Sequence, residues 1–235
     1  MQLSERLREL AGMVTPGNRL VDVGCDHGYL PIWLVRNKII PSAIAMDVRR
    51  GPLSKAQENI RQYALSDYIQ TRLSWGLREL SVGEGDTLTI AGMGGPLMES
   101  LLEECPLVRE SFAEMILQPQ SDIGHFRHFI RSLGWEIIQE KIVLEDGKFY
   151  PMMKVRKAEK ENMPVYSREE EWFGRLLLEE RNPILKQLLK KELKTRENIL
   201  DQLKAPGSDA AVKRMEEIRE EQQIIRSALE HYESI

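Results

Sequence analysis

The stretch that decides the fold is VDVGCDHGYLP, residues 21–31. Aliphatic residues around one aspartate lead to Gly24, and Gly28 follows the polar segment Cys-Asp-His before aliphatic residues resume. A strand that ends in glycine and leads into a helix brings backbone N–H groups to a ligand at the carboxyl edge of a sheet. The stretch therefore predicts a strand, a turn and a helix of an α/β domain, with a ligand site at the turn.

Strand-like and helix-like segments alternate from this stretch to residue 157. Strands are predicted at 19–24, 42–48, 68–75, 87–93 and 114–119, and helices at 52–65 and 124–134. This alternation is typical of a parallel sheet with helices on both faces. Two further β-rich runs flank Asp146-Gly147, which predicts a hairpin turn. The fold class is therefore α/β, with a mostly parallel seven-stranded sheet that ends in an antiparallel hairpin.

The composition changes after Lys157, where strand patterns disappear. The polar segment 158–167 is typical of a linker, and three helices are expected after it. Ser167 and Glu170 predict a capping box for a helix to about Arg181. Asn182-Pro183 predicts the start of a second helix, which should end near Lys204 before the breaker segment 205–208, and a third helix should run to the C-terminus. We expect a domain at 1–157 and a helical domain at 158–235.

Apolar residues recur at steps of three and four along the last two helices, as in a coiled coil. A short loop between two long helices makes an antiparallel hairpin the simplest arrangement. The two predicted seams consist of Leu185, Leu189, Leu193, Leu200 and Leu203, and of Ala211, Met215, Ile218, Gln222, Ile225, Leu229 and Tyr232.

Composition excludes several classes of protein. The hydrophobic fraction of 42% and the charged fraction of 30% describe an ordinary globular protein, with no apolar run long enough for a membrane span and no signal peptide. We therefore expect a cytoplasmic protein that makes no membrane contact. The net charge of −4 argues against a general nucleic-acid coat but leaves a local basic face possible. Cys25 and Cys105 lack metal-site spacing, so no metal is expected.

The spacing Gly24-Cys-Asp-His-Gly28 lacks the middle glycine of dinucleotide sites, which favours a smaller nucleoside ligand over NAD or FAD. Asp47 ends the second predicted strand, where a carboxylate can accept hydrogen bonds from both ribose hydroxyls. This order of elements is the one that Rossmann-like methyltransferases use for S-adenosylmethionine. The alternative is that the glycines serve only a tight turn and Asp47 only a helix cap.

Asp26 and His27 lie in the turn itself. Asp26 is a candidate to accept from a ligand ammonium group or, alternatively, to cap the following helix. Histidine is the side chain suited to proton exchange near neutral pH, so His27 is a candidate to handle protons or, equally, a structural residue beside a cofactor.

The fourth and fifth predicted strands end in AGMGG (91–95) and LQP (117–119). Enzymes that methylate exocyclic amines of bases commonly carry an (Asp/Asn)-Pro-Pro-(aromatic) segment after the fourth strand, and this chain has none. The acceptor is therefore expected to be a ring nitrogen or something other than a base. Gln118 is a candidate to read a polar base edge, with an ordinary loop hydrogen bond as the alternative.

The series DVGCDHGYLP, MDVRRGPL, AGMGG and LQP resembles the bacterial TrmK family, the tRNA adenine-22 N1-methyltransferases. The resemblance covers the whole chain, because that family also carries a C-terminal helical coiled-coil domain. It implies a Rossmann-like class I methyltransferase fold and methyl transfer from S-adenosylmethionine to ring nitrogen N1 of adenine 22 in tRNA. The products are 1-methyladenosine and S-adenosylhomocysteine, and no metal takes part.

The resemblance also implies roles for particular residues. Residues 74–77 border the cofactor adenine, Asp26 stabilises charge that develops on the base, and His27 handles a proton. Tyr29 stacks on the extruded base, or alternatively packs in the helix. The implied cofactor contacts are Asp22, Gly24, Cys25, Asp26, Gly28, Asp47, Val48, Gly76, Ala91, Gly92 and Met93. The predicted substrate contacts, from the residues as well as the resemblance, are Tyr29, Gln118, Pro119, Lys186, Lys190, Lys191 and Lys194.

Two other functions remain open from the residues alone. A methyltransferase acting on a protein or small molecule would use the helical domain as a dimerisation arm. A non-catalytic RNA- or protein-binding module would keep the pocket as a relic. The lysines of the second predicted helix of the helical domain either form the solvent-exposed face of a coiled coil or contact a phosphate backbone.

Overall fold

Residues 1–159, 164–203 and 209–233 are described in a computed structural model of the chain. The chain divides into two compact units, Met1–Met163 and Pro164–Ile235. The boundary between them falls within the polar segment 158–167, of which residues 160–163 lie outside the described part.

The first unit is a seven-stranded sheet with helices. The elements are α1 Glu5–Met13, β1 Leu20–Val23, α2 Tyr29–Arg36, β2 Ala43–Asp47, α3 Arg50–Gln62, β3 Ile69–Leu73, β4 Thr87–Met93, α4 Gly95–Glu104, α5 Pro106–Arg109, β5 Glu114–Pro119, α6 Ile123–Ser132, β6 Trp135–Glu145 and β7 Lys148–Lys157. The strands lie in the order β3-β2-β1-β4-β5-β7-β6. Strands β1 to β5 pair in parallel, whereas β7 is antiparallel to both β5 and β6. The predicted sheet and hairpin are confirmed.

The sheet has a point where the strand order reverses. The chain runs from β1 outward to β2 and β3, and then returns to place β4 on the other side of β1. In open α/β sheets, ligands bind outside the carboxyl ends of the strands at such a reversal. Every residue of β1 and β2 is buried, as expected for central strands covered on both faces. The carboxyl ends of β1, β2 and β4 are therefore where a ligand site is expected.

Helix α1 is fixed to the sheet at both ends. At its start, the Glu145 carboxylate accepts from the backbone N–H of Glu5 at 2.7 Å, which suits the positive end of the helix dipole. At its end, Lys154 Nζ donates to the Met13 carbonyl at 2.8 Å, and Glu114 accepts from the Thr15 backbone at 3.0 Å. These contacts make α1 a fixed wall of the first unit.

The second unit contains α7 Arg168–Phe173, α8 Arg175–Glu179, α9 Pro183–Leu203 and α10 Asp209–Glu230. The predicted capping box of Ser167 and Glu170 is present, and Asn182 Oδ1 accepts from the backbone N–H of Ile184 at 2.9 Å. The single helix predicted to Arg181 is wrong. Gly174 has a φ of +95°, outside the helical range, and divides it into α7 and α8.

Helices α9 and α10 form the predicted antiparallel pair. Arg196 Nε donates to Glu221 at 3.0 Å, and Tyr232 Oη donates to the Asn182 carbonyl at 2.9 Å. The breaker segment 205–208 and Lys204 lie outside the described residues, and α10 ends at Glu230 rather than at the C-terminus. Of the predicted seams, Leu185, Leu189, Ile218, Gln222 and Ile225 are buried and the other members are half-buried. Every helix among the described residues is too short or too polar to serve as a membrane span.

Candidate functional site

A cavity of about 520 Å³ lies at the carboxyl ends of β1, β2 and β4. Its lining comes from the turn after β1, from the residues that follow β2 and β3, from the end of β4, and from α1 and α4. This volume lies within the usual range for pockets that enclose a small molecule. The cavity thus occupies the position that the reversal of strand order predicts.

The turn after β1 requires glycine at residue 24. Gly24 has a φ of +76°, and the backbone N–H groups of Gly24 and Cys25 donate to the Met46 carbonyl at 2.8 and 2.9 Å. A Cβ at residue 24 would overlap Met93 Cε. Gly28 has a φ of +71° and is the N-cap residue of α2, but a Cβ built on it would lie 3.3 Å from Ala56 Cβ, and Gly28 does not line the cavity. The prediction that Gly28 contacts the ligand is therefore not supported by its position.

A buried carboxylate lies beneath this turn. Asp22 accepts a 2.6 Å hydrogen bond from Thr89 Oγ1 on the neighbouring strand β4. Burial raises the pKa of Asp22 to about 6, Asp47 adds to the rise, and the Thr89 hydroxyl opposes it. Burial also raises the pKa of the adjacent Cys25 thiol, so this cysteine is neutral and unreactive near neutral pH.

A second buried carboxylate, Asp47, ends β2. Its Oδ1 accepts from the backbone N–H of Arg49 at 2.8 Å, and the Arg49 guanidinium lies 3.7 Å from the same oxygen. Helix α3 has no side-chain cap, so the alternative role of Asp47 as a helix cap is wrong. The carboxylate is held at the cavity wall, beside the predicted contact Val48. Its second oxygen takes part in neither of the two contacts with Arg49.

Asp26, His27 and Tyr29 line the same cavity. Asp26 is exposed, has a φ of +48°, and lies 3.7 Å from His27 Nε2. Helix α2 has no side-chain cap, so Asp26 does not cap it. His27 Nδ1 is buried and has no hydrogen-bond partner within the described residues, and its ring lies 5.4 Å from the Tyr29 ring. A buried imidazole nitrogen without a partner is energetically costly, which singles out this atom within the site.

The segment after β3 forms another part of the wall. Ser74 Oγ donates to the Gly76 carbonyl at 3.1 Å, and Gly76 has a φ of +53°. A Cβ at residue 76 would lie 2.8 Å from Leu101 Cδ2, so glycine is required here as well. Trp75 is 40% exposed and lines the cavity, which gives this wall an aromatic surface.

The residues at the ends of β4 and β5 correct the prediction that Gln118 and Pro119 contact the substrate. Ala91, Gly92 and Met93 line the cavity as expected, but Gln118 and Pro119 are buried and do not. Gln118 Oε1 accepts from the Gly92 N–H at 3.1 Å and from Arg6 Nη1 at 3.2 Å, and its Nε2 donates to the Pro119 carbonyl at 3.1 Å. Gln118 therefore joins α1, β4 and β5 and is not free to read a substrate.

Several lining residues were not predicted from the sequence: Arg6, Leu7, Arg49, Leu97, Leu101 and Gln120. Arg6 is the clearest omission. Its guanidinium lies over the Tyr150 ring at 5.3 Å and donates once to Gln118. No local sequence motif marks Arg6 as a residue of the cavity, because it is one of several charged residues in an amphipathic helix. Its position depends on the contacts that Glu145 makes with α1.

The predicted substrate lysines belong to the second unit. Lys190, Lys191 and Lys194 are exposed on α9, whereas Lys186 Nζ lies over the Tyr232 ring at 5.4 Å. Lys186 is therefore partly engaged in the contact between α9 and the segment that follows α10. Within the described residues, no cluster of three or more His, Cys, Asp or Glu side chains forms a metal site.

Comparison with known proteins adds to this geometry. The profile of a family described as a methyltransferase domain matches residues 3–153. The Bacillus subtilis tRNA (adenine(22)-N(1))-methyltransferase is 27% identical over 234 residues, 98% of each chain. The crystal structure of the B. subtilis m1A22 tRNA methyltransferase TrmK superposes with a TM-score of 0.87 and covers 97% of this chain and 99% of that one.

A second relative is more similar in sequence. A Streptococcus pneumoniae protein assigned as a tRNA (m1A22) methyltransferase is 33% identical, with a TM-score of 0.89 over 97% of this chain and all of that one. The same S. pneumoniae protein has also been crystallised with S-adenosyl-L-methionine, and that structure superposes with a TM-score of 0.87.

Proposed function

The chain belongs to the TrmK family of methyltransferases, and on that basis we propose that it transfers a methyl group from S-adenosylmethionine to N1 of adenine 22 in tRNA, giving 1-methyladenosine. The observation that carries this proposal is the match to the B. subtilis enzyme over 98% of each chain. The match includes the helical second unit and not only the widespread methyltransferase domain.

The residues of the cavity fit S-adenosylmethionine. When bound, this cofactor supplies an electrophilic methyl group on a positively charged sulfur. The glycine turn at residue 24 leaves its backbone uncovered by a side chain of its own, with Met93 Cε in the space that a Cβ would take, and the cavity is large enough for a nucleoside with a short side chain. The cavity lining combines three carboxylates with aromatic and aliphatic side chains, which suits a ligand with a charged end and an adenine ring.

Charged side chains of opposite sign bind the two charges of the cofactor's methionine part. Asp22 and Asp26 accept from its ammonium group, and Arg6 donates to its carboxylate. Arg6 suits this role because its hydrogen bond to Gln118 fixes the guanidinium at the cavity wall. That bond uses one N–H group of the guanidinium, and the other N–H groups do not take part in it. The other arginine of the lining, Arg49, is already 3.7 Å from Asp47.

Asp47 and the wall after β3 bind the nucleoside part. The Asp47 carboxylate is oriented by the Arg49 N–H and accepts from the ribose hydroxyls. Val48 and Trp75, which are both partly exposed and line the cavity, pack against the adenine ring. Gly76, which lines the cavity without a side chain, lets Leu101 pack closely against this wall.

The acceptor base enters beside Asp26, His27 and Tyr29. Neutral adenine carries a lone pair on N1, so the chain does not need a strong base and contributes mainly orientation and exclusion of water. Tyr29 stacks on the extruded base, and the Asp26 carboxylate stabilises the positive charge that the base acquires. His27 lies between these two side chains and holds or accepts a proton through Nδ1 or Nε2.

The second unit, residues 164–235, supplies tRNA contacts outside the cavity. Lys190, Lys191 and Lys194 are exposed along α9 and are suited to a phosphate backbone. Because its substrate is tRNA, we place the protein in the cytoplasm.

Incubation with S-adenosylmethionine and unmodified tRNA, followed by nucleoside digestion, tests this function. We expect 1-methyladenosine as the new nucleoside. Methylation at an exocyclic amine or at another base contradicts the proposal.

A further inference from the structure

Two glutamines, Gln118 in β5 and Gln120 directly after it, have opposite environments. Gln118 is fully buried, and both ends of its amide are hydrogen-bonded. Gln120 is exposed and lines the cavity, and its side chain makes no hydrogen bond to another described residue. Its backbone is nevertheless fixed, because its N–H donates to the Met93 carbonyl at 2.8 Å. Gln120 therefore presents a free amide from a fixed position.

This amide lies next to the end of β4, over Gly92. A Cβ built on Gly92 would lie 3.7 Å from Gln120 Nε2 and 3.5 Å from Arg6 Nη1. These distances place the Gln120 amide and the Arg6 guanidinium next to the same residue at the end of β4. Among the lining residues in the described part of the chain, Gln120 is the one that carries a side-chain amide.

The chemistry of the reaction restricts how adenine can be recognised. N1 lies on the Watson–Crick edge, and this edge must face the methyl group during transfer. The Hoogsteen edge, with the N7 acceptor and one N–H of the N6 amine, remains available for recognition. A glutamine amide matches that edge, since its oxygen accepts from N6–H while its nitrogen donates to N7.

We propose that Gln120 is the specificity-determining residue that reads the Hoogsteen edge of the target adenine. This inference rests on the proposed function, because it takes adenine N1 as the acceptor. A guanine in the same position presents two acceptors, N7 and O6, on that edge, so one end of the Gln120 amide would face an acceptor with its own oxygen. Gln120 thus selects adenine while leaving N1 free to react.

The test combines a base analogue with a variant. Two tRNAs are prepared that carry either adenosine or 7-deazaadenosine at position 22, and kcat/KM for each is measured with wild-type protein and Gln120→Ala. The analogue lacks the N7 acceptor but keeps N1 and N6. A good bidentate contact corresponds to roughly 5- to 150-fold in discrimination, so we expect each single change to lower kcat/KM by about 10-fold.

The two changes together are decisive. If Gln120 reads N7, the analogue has little further effect in Gln120→Ala. Gln120→Glu keeps the length of the side chain but places an oxygen against N7, so we expect it to be no better than Gln120→Ala with adenosine. Gln62→Ala, the same change on the exposed end of α3, is the control and should behave as wild type.

Three results would overturn the inference. The first is that the loss in kcat/KM from Gln120→Ala and the loss from 7-deazaadenosine multiply, which means that the two changes act independently. The second is full activity of wild-type protein on the analogue. The third is absence of 1-methyladenosine from wild-type protein with unmodified tRNA, which would also overturn the proposed function. S-adenosylhomocysteine binding by Gln120→Ala, measured by thermal shift, should equal that of wild type and shows that the variant is folded.

Discussion

Thr89 Oγ1 donates a 2.6 Å hydrogen bond to Asp22 Oδ1 across the paired strands β1 and β4. The bond favours the ionised carboxylate, whereas burial favours the neutral one. Burial has the larger effect, so the pKa of Asp22 is raised from 3.8 to about 6. Asp22 therefore changes its charge just below neutral pH at the wall of the cofactor cavity.

This titration predicts how cofactor binding depends on pH. The ionised form of Asp22 attracts the ammonium group of S-adenosylhomocysteine, so affinity should rise as the pH increases through about 6 and level off above it. Thr89→Val removes the hydrogen bond that favours ionisation. The pKa of Asp22 then rises further, and we expect the midpoint of the affinity profile to move up by about one unit. Calorimetric titration at several pH values measures this.

Thr71→Val is the control, since it makes the same change on β3, where the hydroxyl accepts from Gln57 and, among the described residues, has no hydrogen bond to a carboxylate. Its midpoint should match that of wild type. A midpoint that moves down in Thr89→Val contradicts the assignment to Asp22.

Gly24 is predicted to be needed for space as well as for its backbone conformation. Gly24→Ala places a Cβ against Met93 Cε, whereas Gly83→Ala meets nothing within 4 Å although Gly83 has a φ of +80°. Both variants incur the conformational cost of alanine at positive φ, about 1–2 kcal/mol in the free energy of unfolding. We expect only Gly24→Ala to lose S-adenosylhomocysteine affinity as well. Equal affinity in the two variants would show that the space at residue 24 does not matter.

Arg6 is predicted to bind the cofactor carboxylate. Charge-assisted hydrogen bonds contribute about 1.5–3 kcal/mol, so Arg6→Ala should weaken S-adenosylhomocysteine binding by about 10- to 100-fold. Decarboxylated S-adenosylhomocysteine lacks the group that Arg6 binds, and its affinity should be the same for Arg6→Ala as for wild type. Arg8→Ala, an exposed position on the same helix, is the control. An equal loss with both ligands would mean that Arg6 acts only through Gln118.

The exposed lysines of α9 are predicted to contact tRNA phosphates. Lys190→Glu should lower tRNA affinity and reduce the slope of log affinity against log salt by about one, since one phosphate contact releases about one counterion. Lys148→Glu reverses an exposed charge on β7 and is the control for net charge. A loss of affinity that is equal in the two variants, or independent of salt, would assign the effect to net charge or folding.

Local sequence patterns were sufficient to predict most of the fold. Strands β4 and β5 lie at the predicted residues, and Asp146-Gly147 forms the predicted hairpin turn, with φ values of +50° and +73°. These features depend on short-range chemistry, namely apolar runs, glycine and caps. The break at Gly174 was missed because a glycine within a helical pattern is compatible with both one helix and two.

The site was predicted where it follows a motif and missed where it depends on tertiary contacts. Asp22, Gly24 and Asp47 lie at strand ends, so their meeting at one edge of a parallel sheet follows from the topology. Arg6 reaches the cavity only because α1 is fixed at both ends by side chains from distant strands. Gln118 and Gln120 both follow the same strand pattern, and only packing decides that Gln118 is buried and Gln120 is exposed.

The central claim is methyl transfer to N1 of adenine 22. The most direct measurement uses methyl-labelled S-adenosylmethionine and two unmodified tRNAs that differ only in adenine or guanine at position 22, followed by digestion and identification of the labelled nucleoside. We predict label in 1-methyladenosine with the first tRNA and none with the second. Label in any other nucleoside, label that persists with guanine at position 22, or no label in either tRNA while S-adenosylhomocysteine still binds, would contradict the account.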